Sequence, residues 1–129
     1  MRYRKLVTAL IILASPAAFS QQPGTFQGKW SGPMKGQGGG DNTLELTIGE
    51  AGGTWHMTAD GNRGRANACL RRDFPVVVTP KSPSEGSIEI KGAQIPQGCI
   101  DQTGVLKLVD GKAIEGSLAD GRTFTLTRR

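Results

Sequence analysis

Histidine, cysteine and aromatic side chains are scarce in this chain of 129 residues, and each scarcity narrows the functions open to it. There is one histidine, His56, and there are two cysteines, while aromatic residues make up 5% of the chain. One histidine cannot supply the usual ligand set of a zinc site. We therefore expect no bound metal and no other cofactor.

Long apolar runs are also missing. The longest mostly apolar stretch, residues 6–13, is far shorter than the roughly 20 residues that a membrane-spanning helix needs. It follows Arg2, Arg4 and Lys5 and precedes Pro16 and several small residues, a pattern typical of a secretory signal peptide. We expect residues 1–20 to be removed and residues 21–129 to form one periplasmic or secreted domain without a membrane span.

The positive charge of the chain belongs largely to this leader. Its three basic residues account for more than half of the formal net charge of +5. Residues 21–129 therefore carry little excess charge, and no aromatic residue is interleaved with their arginines, as a nucleic-acid surface would require. Nucleic acid is not expected as a partner.

The two cysteines, Cys69 and Cys99, make an even pair in a chain that enters an oxidising compartment. Such a pair most often forms a disulfide. We expect this bond to link the middle of the domain to a later segment and to stabilise the fold.

Alternation of apolar and polar residues with a period of two replaces helical periodicity throughout residues 21–129. Leu44, Leu46 and Ile48 share one face of a predicted strand, and Trp55, Met57 and Ala59 share one face of the next. The pattern predicts an all-β fold, a single small antiparallel barrel or sandwich of about eight strands. Residues 32–42 and 80–86, rich in glycine or proline, are predicted to be loops.

The C-terminal part predicts an up-and-down meander with two hairpins. Three-residue loops at 109–111 and 119–121 keep apolar residues on one face, so that Leu106 pairs with Ile114 and Phe124 covers Gly116. We expect type I turns closed by bulges, with Gly111 and Gly121 in the left-handed region. The inward residues are then Leu106, Leu108, Ile114, Leu118, Phe124 and Leu126.

Catalysis has one candidate in this sequence. A Ser-His-Asp arrangement would have to use His56 with Asp60 and one of the serines, but no serine lies in a nucleophile-elbow sequence. A solvated histidine on a strand is the expected structural role. We expect a protein that is not an enzyme.

Binding has a candidate in a cluster of four arginines around Cys69. Arg63, Arg65, Arg71 and Arg72 lie within ten residues of one another, and guanidinium groups suit carboxylate, sulfate and phosphate. With an exposed Trp55, this patch would contact an anionic glycan or a lipid headgroup. The alternative is a set of ordinary solvated arginines that pair with nearby aspartates.

Gly28, Lys29 and Trp30 on the first strand, together with the meander and Arg128 near its end, resemble the calycin pattern. That pattern is shared by lipocalins, avidins and bacterial secreted inhibitors of metalloproteases. The resemblance to the inhibitor type implies a small barrel in which Trp30 closes one end against Arg128. With few aromatics and glycine at inward positions such as Gly116, we expect the interior to be filled.

Two functions follow as expectations. The first is a non-enzymatic secreted or periplasmic protein that binds another protein, as an inhibitor or an envelope factor. The second is a binder of a small ligand or an anionic glycan through the arginine patch and an exposed tryptophan.

Overall fold

The computed structural model describes residues 25–36, 40–59, 69–94 and 99–129. The expected signal peptide, residues 1–20, lies outside these ranges, as do Asp60, Arg63 and Arg65. No helix within the described ranges is long and apolar enough to cross a membrane.

The described residues form eight antiparallel strands and one short 3-10 turn at Gly92–Gln94. The strands are β1 Gly28–Lys35, β2 Asp41–Gly49, β3 Gly52–Ala59, β4 Asp73–Pro80, β5 Glu85–Ile90, β6 Gln102–Val109, β7 Ala113–Leu118 and β8 Thr123–Arg128. Each strand pairs with the next one along the chain, and β8 pairs with β1. The all-β prediction is confirmed, and of the two predicted architectures the structure adopts the closed barrel.

The barrel forms because alternate side chains of every strand are apolar and the closed sheet buries them together. In β2, for example, residues alternate between exposed and buried along the whole strand. All six residues predicted to face inward in the meander are buried. The core comprises Phe26, Trp30, Met34, Leu44, Leu46, Ile48, Trp55, Met57, Phe74, Val76, Ile88, Ile90, Cys99, Leu106, Leu108, Ile114, Leu118, Phe124 and Leu126.

One end of the barrel is closed by Trp30 and Arg128, which are partners in the β1–β8 ladder. The guanidinium carbon of Arg128 lies 4.1 Å from the centroid of the Trp30 ring, a favourable cation–π contact. The indole N–H of Trp30 donates to the carbonyl oxygen of Phe26 at 2.8 Å. The expected contact between Trp30 and Arg128 is therefore present.

Arg128 also holds the chain segments around this end together. Its guanidinium donates to the carbonyl oxygens of Thr25, Gln27 and Gly111 at 3.0, 2.8 and 3.0 Å. These carbonyls belong to the segment before β1 and to the β6–β7 hairpin. A single cation therefore satisfies three backbone acceptors that no strand pairing uses.

The two C-terminal hairpins test the register argument. Phe124 lies opposite Gly116 and Leu126 opposite Ile114, as predicted, and Gly121 has φ +95°. In the first hairpin the predicted strand register was wrong, because the loop lies one residue later than predicted. Leu106 lies opposite Gly116 instead of Ile114, and the loop comprises residues 110–112.

The turn type of that first hairpin also differs from the prediction. Gly111 lies in the left-handed region as expected, with φ +66°, but Asp110 has φ +53° as well. The N–H of Lys112 donates to the carbonyl of Val109 at 3.0 Å. Positive φ at both central residues defines a type I′ turn instead of type I, and aspartate is one of the residues that accept it.

The predicted loop at residues 32–42 was wrong in extent. β1 continues to Lys35 and β2 begins at Asp41, with Pro33 opposite Thr43. Gly32 is present because of close packing: a Cβ atom there would lie 2.2 Å from the carbonyl oxygen of Thr125 on β8. Glycine here marks the close approach of two strands, not a turn. The other predicted loop, 80–86, connects β4 to β5, although Pro80 and the last two residues belong to the strands.

Gly121→Ala should lower the free energy of unfolding by about 1–2 kcal/mol, because an L-residue is strained at positive φ. A Cβ atom at this position meets no other atom within 4 Å, so the loss comes from the backbone alone. Urea unfolding measures it, with Lys112→Ala in the other hairpin as a control. An unchanged midpoint for Gly121→Ala would contradict the turn assignment.

Candidate functional site

The end of the barrel opposite Trp30 contains a cavity of about 580 Å³. It lies where β1, β3, β5 and β7 end and where β2, β4, β6 and β8 begin. Its size is within the range of about 300–1,000 Å³ that is usual for small-molecule pockets. Among the described residues, the inward side chains of this half are themselves buried, so the cavity lies over a filled interior at this end of the barrel.

Trp55 lies at the inner part of this cavity. It packs edge to face against Phe124, with ring centroids 5.6 Å apart, and the two rings bridge the barrel from β3 to β8. The residue is 2% exposed, so the expectation of an exposed Trp55 was wrong. Period-two alternation directs its side chain into the barrel, where it lines the cavity instead of the outer surface.

The walls of the cavity near Trp55 are apolar. Met57, Phe74 and Ile90 line it from β3, β4 and β5, and Leu70 lines it from the segment before β4. Aromatic and thioether side chains of this kind favour an apolar ligand body.

Arg122 organises the rim on the side of β1, β6 and β8. Its guanidinium donates to Asp120 Oδ2 at 2.8 Å, to Gln102 Oε1 at 2.8 Å and to the carbonyl of Lys35 at 3.3 Å. The Arg122 side chain is 15% exposed. One cation therefore links the β7–β8 hairpin to two other strands at the mouth.

Burial alone would raise the pKa of Asp120, but hydrogen bonds from the backbone N–H and guanidinium of Arg122, together with its charge, hold that pKa below its ordinary value. The ion pair stabilises the rim above the ordinary pKa of an aspartate. As pH falls through the lowered pKa, the carboxylate is protonated and this contribution is lost.

The β1–β2 side of the rim is fixed by Asn42, a buried polar residue. In the amide orientation that satisfies both groups, its nitrogen donates to the carbonyl of Asp41 at 3.1 Å and its oxygen accepts from the N–H of Gly36 at 3.3 Å. The amide thus joins the end of one strand to the start of the next. Lys35 and Asp41 form an ion pair on the same rim.

The predicted disulfide between Cys69 and Cys99 is confirmed, with an S–S distance of 2.03 Å. Both cysteines line the cavity. The bond joins the segment that precedes β4 to the segment that precedes β6. It therefore connects two sides of the mouth covalently.

Two of the four arginines predicted as a binding patch are described, and both are exposed. Arg71 has φ +62°; its N–H donates to the carbonyl of Met57 at 2.7 Å, and its guanidinium donates to the carbonyl of Ala59 at 3.4 Å. Because Met57 and Ala59 line the cavity, Arg71 is placed beside the mouth. The structure thus places Arg71 near a cavity that the sequence did not indicate.

His56 lies on the outer face of the barrel, away from the cavity. Its Nδ1 is 2.8 Å from Oδ1 of Asp73, and its side chain is 27% exposed. In the strand register Ser31 lies opposite Glu45, and Glu45 lies opposite His56. Glu45 therefore lies between Ser31 and His56, and Asp60, the aspartate considered with His56, lies outside the described residues.

No family model, curated protein or solved structure matches this chain. The candidate site accordingly depends on its own geometry. Among the described residues, no group of three or more His, Cys, Asp or Glu side chains could hold a metal ion.

Gln102, Asp120 and Arg122 were not identified as site residues from the sequence. The Asp120-Gly121 turn was recognised, and a basic residue directly after such a turn was the available signal. What the sequence does not reveal is that this hairpin lies at the same end of the barrel as the disulfide.

Proposed function

We propose that this protein binds a small molecule with a largely apolar body in the cavity, and that it acts by binding instead of catalysis. The observation that carries the proposal is the cavity at the end opposite Trp30 and Arg128, whose described lining is apolar around Trp55 and polar at the rim. Such a cavity can remove most of a small ligand's surface from water.

The proposal changes the second function expected from the sequence in one respect. In the sequence-based expectation, the ligand contacts an arginine patch and an exposed tryptophan on the surface. In the present proposal, the ligand enters the barrel, and Arg71 lies beside the entrance. The calycin resemblance supports this proposal because lipocalins and avidins have the same kind of barrel. A periplasmic or secreted location, with which the disulfide is compatible, belongs to the same proposal.

The protein-partner function stays a prediction. Binding of a small ligand requires the cavity, whereas an inhibitor that binds a protein partner through its outer surface does not. Capture of partners from envelope extract with the cavity filled and unfilled separates them: a partner that binds equally in both cases uses the outer surface.

The environment-sensitive fluorophore 1-anilinonaphthalene-8-sulfonate tests the cavity directly. We expect saturable binding of one molecule per chain, with an unchanged near-ultraviolet circular dichroism spectrum showing that the protein remains native. Ala59→Leu adds volume at a lining position and should weaken binding by about tenfold or more, which corresponds to about 1.4 kcal/mol.

Val105→Leu is the matched control, because it adds apolar volume at an exposed outer position. It should leave the affinity unchanged. Equal weakening by both substitutions, or no saturable binding to the native protein, would refute the proposed function.

A further inference from the structure

The two tryptophans of the barrel differ in one respect that bears on the ligand. The indole N–H of Trp30 donates to the carbonyl of Phe26, whereas the indole N–H of Trp55 has no acceptor among the described residues. Trp55 is 98% buried, and an indole N–H in such a position usually finds a partner.

The nitrogen of Trp55 is not sealed inside the protein. Within the described residues, no fully buried side-chain nitrogen or oxygen lacks a hydrogen-bond partner, so this nitrogen reaches open space. The space beside Trp55 is the cavity that its ring lines. The N–H is therefore a donor that is available to a bound molecule.

A second available donor lies at the rim. Oε1 of Gln102 accepts from Arg122, which leaves the amide NH₂ of Gln102 without an acceptor among the described residues. Gln102 also lines the cavity. Asn42, by contrast, uses both ends of its amide to join the backbone of the rim.

We infer that the ligand carries an oxygen acceptor, a carbonyl or a carboxylate, on an apolar body, and that this oxygen accepts a hydrogen bond from the indole N–H of Trp55. The inference rests on the proposed function. Its physical basis is that a ligand without an acceptor would displace water from Trp55 and leave the N–H unpaired, which is unfavourable. Gln102 adds a second donor for an acceptor nearer the mouth.

Three probes of similar shape test this inference: 2-acetylnaphthalene, 2-naphthoate and 2-isopropenylnaphthalene. The last has a carbon–carbon double bond in place of the carbonyl and no oxygen acceptor. We expect the ketone to bind the wild-type protein about 3- to 10-fold more tightly than the alkene, the ratio that one neutral hydrogen bond supports. Titration calorimetry or displacement of the fluorophore measures the ratio without any substitution.

Trp55→Phe removes the N–H and should bring the ketone-to-alkene ratio to about one. Phe74→Leu is the matched control, because it changes an apolar lining residue without a polar atom. It should weaken both probes similarly and preserve the ratio. The carboxylate shows whether charge near Arg71 adds to the hydrogen bond, through a dependence on salt that the ketone lacks.

The outcomes separate this inference from the proposed function. If ketone and alkene bind the wild-type protein with equal affinity, or if Trp55→Phe preserves their ratio, the acceptor inference is overturned while the cavity remains a ligand site. If neither these probes nor the fluorophore binds, the proposed function fails and the inference fails with it.

Discussion

Trp30→Ala is expected to lower the free energy of unfolding by about 3–5 kcal/mol, the usual cost of deleting a large buried aromatic side chain. Trp30 is fully buried, and its removal also leaves the carbonyl of Phe26 without its donor and Arg128 without the ring beneath it. A domain of this size is stable by only about 5–15 kcal/mol. The loss is therefore a large part of the total.

Urea unfolding followed by circular dichroism measures this loss, and two further variants locate its origin. Trp30→Phe keeps an aromatic ring under Arg128 and should cost less than Trp30→Ala. His56→Ala removes a partly exposed side chain whose pair with Asp73 is worth about 0–1 kcal/mol. If Trp30→Ala costs no more than His56→Ala, Trp30 does not close the barrel end.

Replacing both cysteines, Cys69→Ser with Cys99→Ser, is expected to lower the free energy of unfolding by about 3–4 kcal/mol. The bond spans 30 residues, and on the loop-entropy account its loss enlarges the unfolded ensemble by that amount. The eight strands are joined to one another by backbone pairing around the closed barrel, and neither cysteine lies in a strand. The double variant should therefore still fold.

The same variant should weaken binding of the fluorophore, because the disulfide connects two sides of the cavity mouth. Wild-type protein in reductant provides the control, since it loses the bond without any change of sequence and should behave like the variant. Identical unfolding midpoints for oxidised and reduced protein would contradict a stabilising role for the bond.

The faces of the strands were predictable because a closed sheet buries every second residue, and a wrong face would expose a whole apolar row. The pairing of residues across the first hairpin was less predictable, because a shift by two residues leaves the same side chains facing inward. Placing Leu106 or Leu108 opposite Ile114 puts the same side chains inward, so alternation cannot distinguish the two pairings. Turn chemistry decides, and Asp110 accepts the positive φ that shifts the loop by one residue.

The cavity could not be derived from the pattern. Alternation places Trp55 and Met57 inward but does not say whether the space between strands is filled, since an eight-stranded barrel is wide enough either to be filled by side chains or to hold one small ligand. Whether that space is filled depends on side chains from strands that are far apart in the sequence. Arg122 reaches the carbonyl of Lys35 at the rim because the barrel closes between β8 and β1, not because of any spacing in the sequence.

The proposed function requires that a ligand enters the barrel at the end near Trp55 while the end at Trp30 stays closed. The indole N–H resonances of the two tryptophans in a ¹H–¹⁵N correlation spectrum test it most directly, assigned with Trp55→Phe and recorded during titration with 1-anilinonaphthalene-8-sulfonate. We expect the Trp55 resonance to shift in proportion to occupancy and the Trp30 resonance to stay in place. A shift of Trp30 alone, or saturable binding that moves neither resonance, would contradict this expectation.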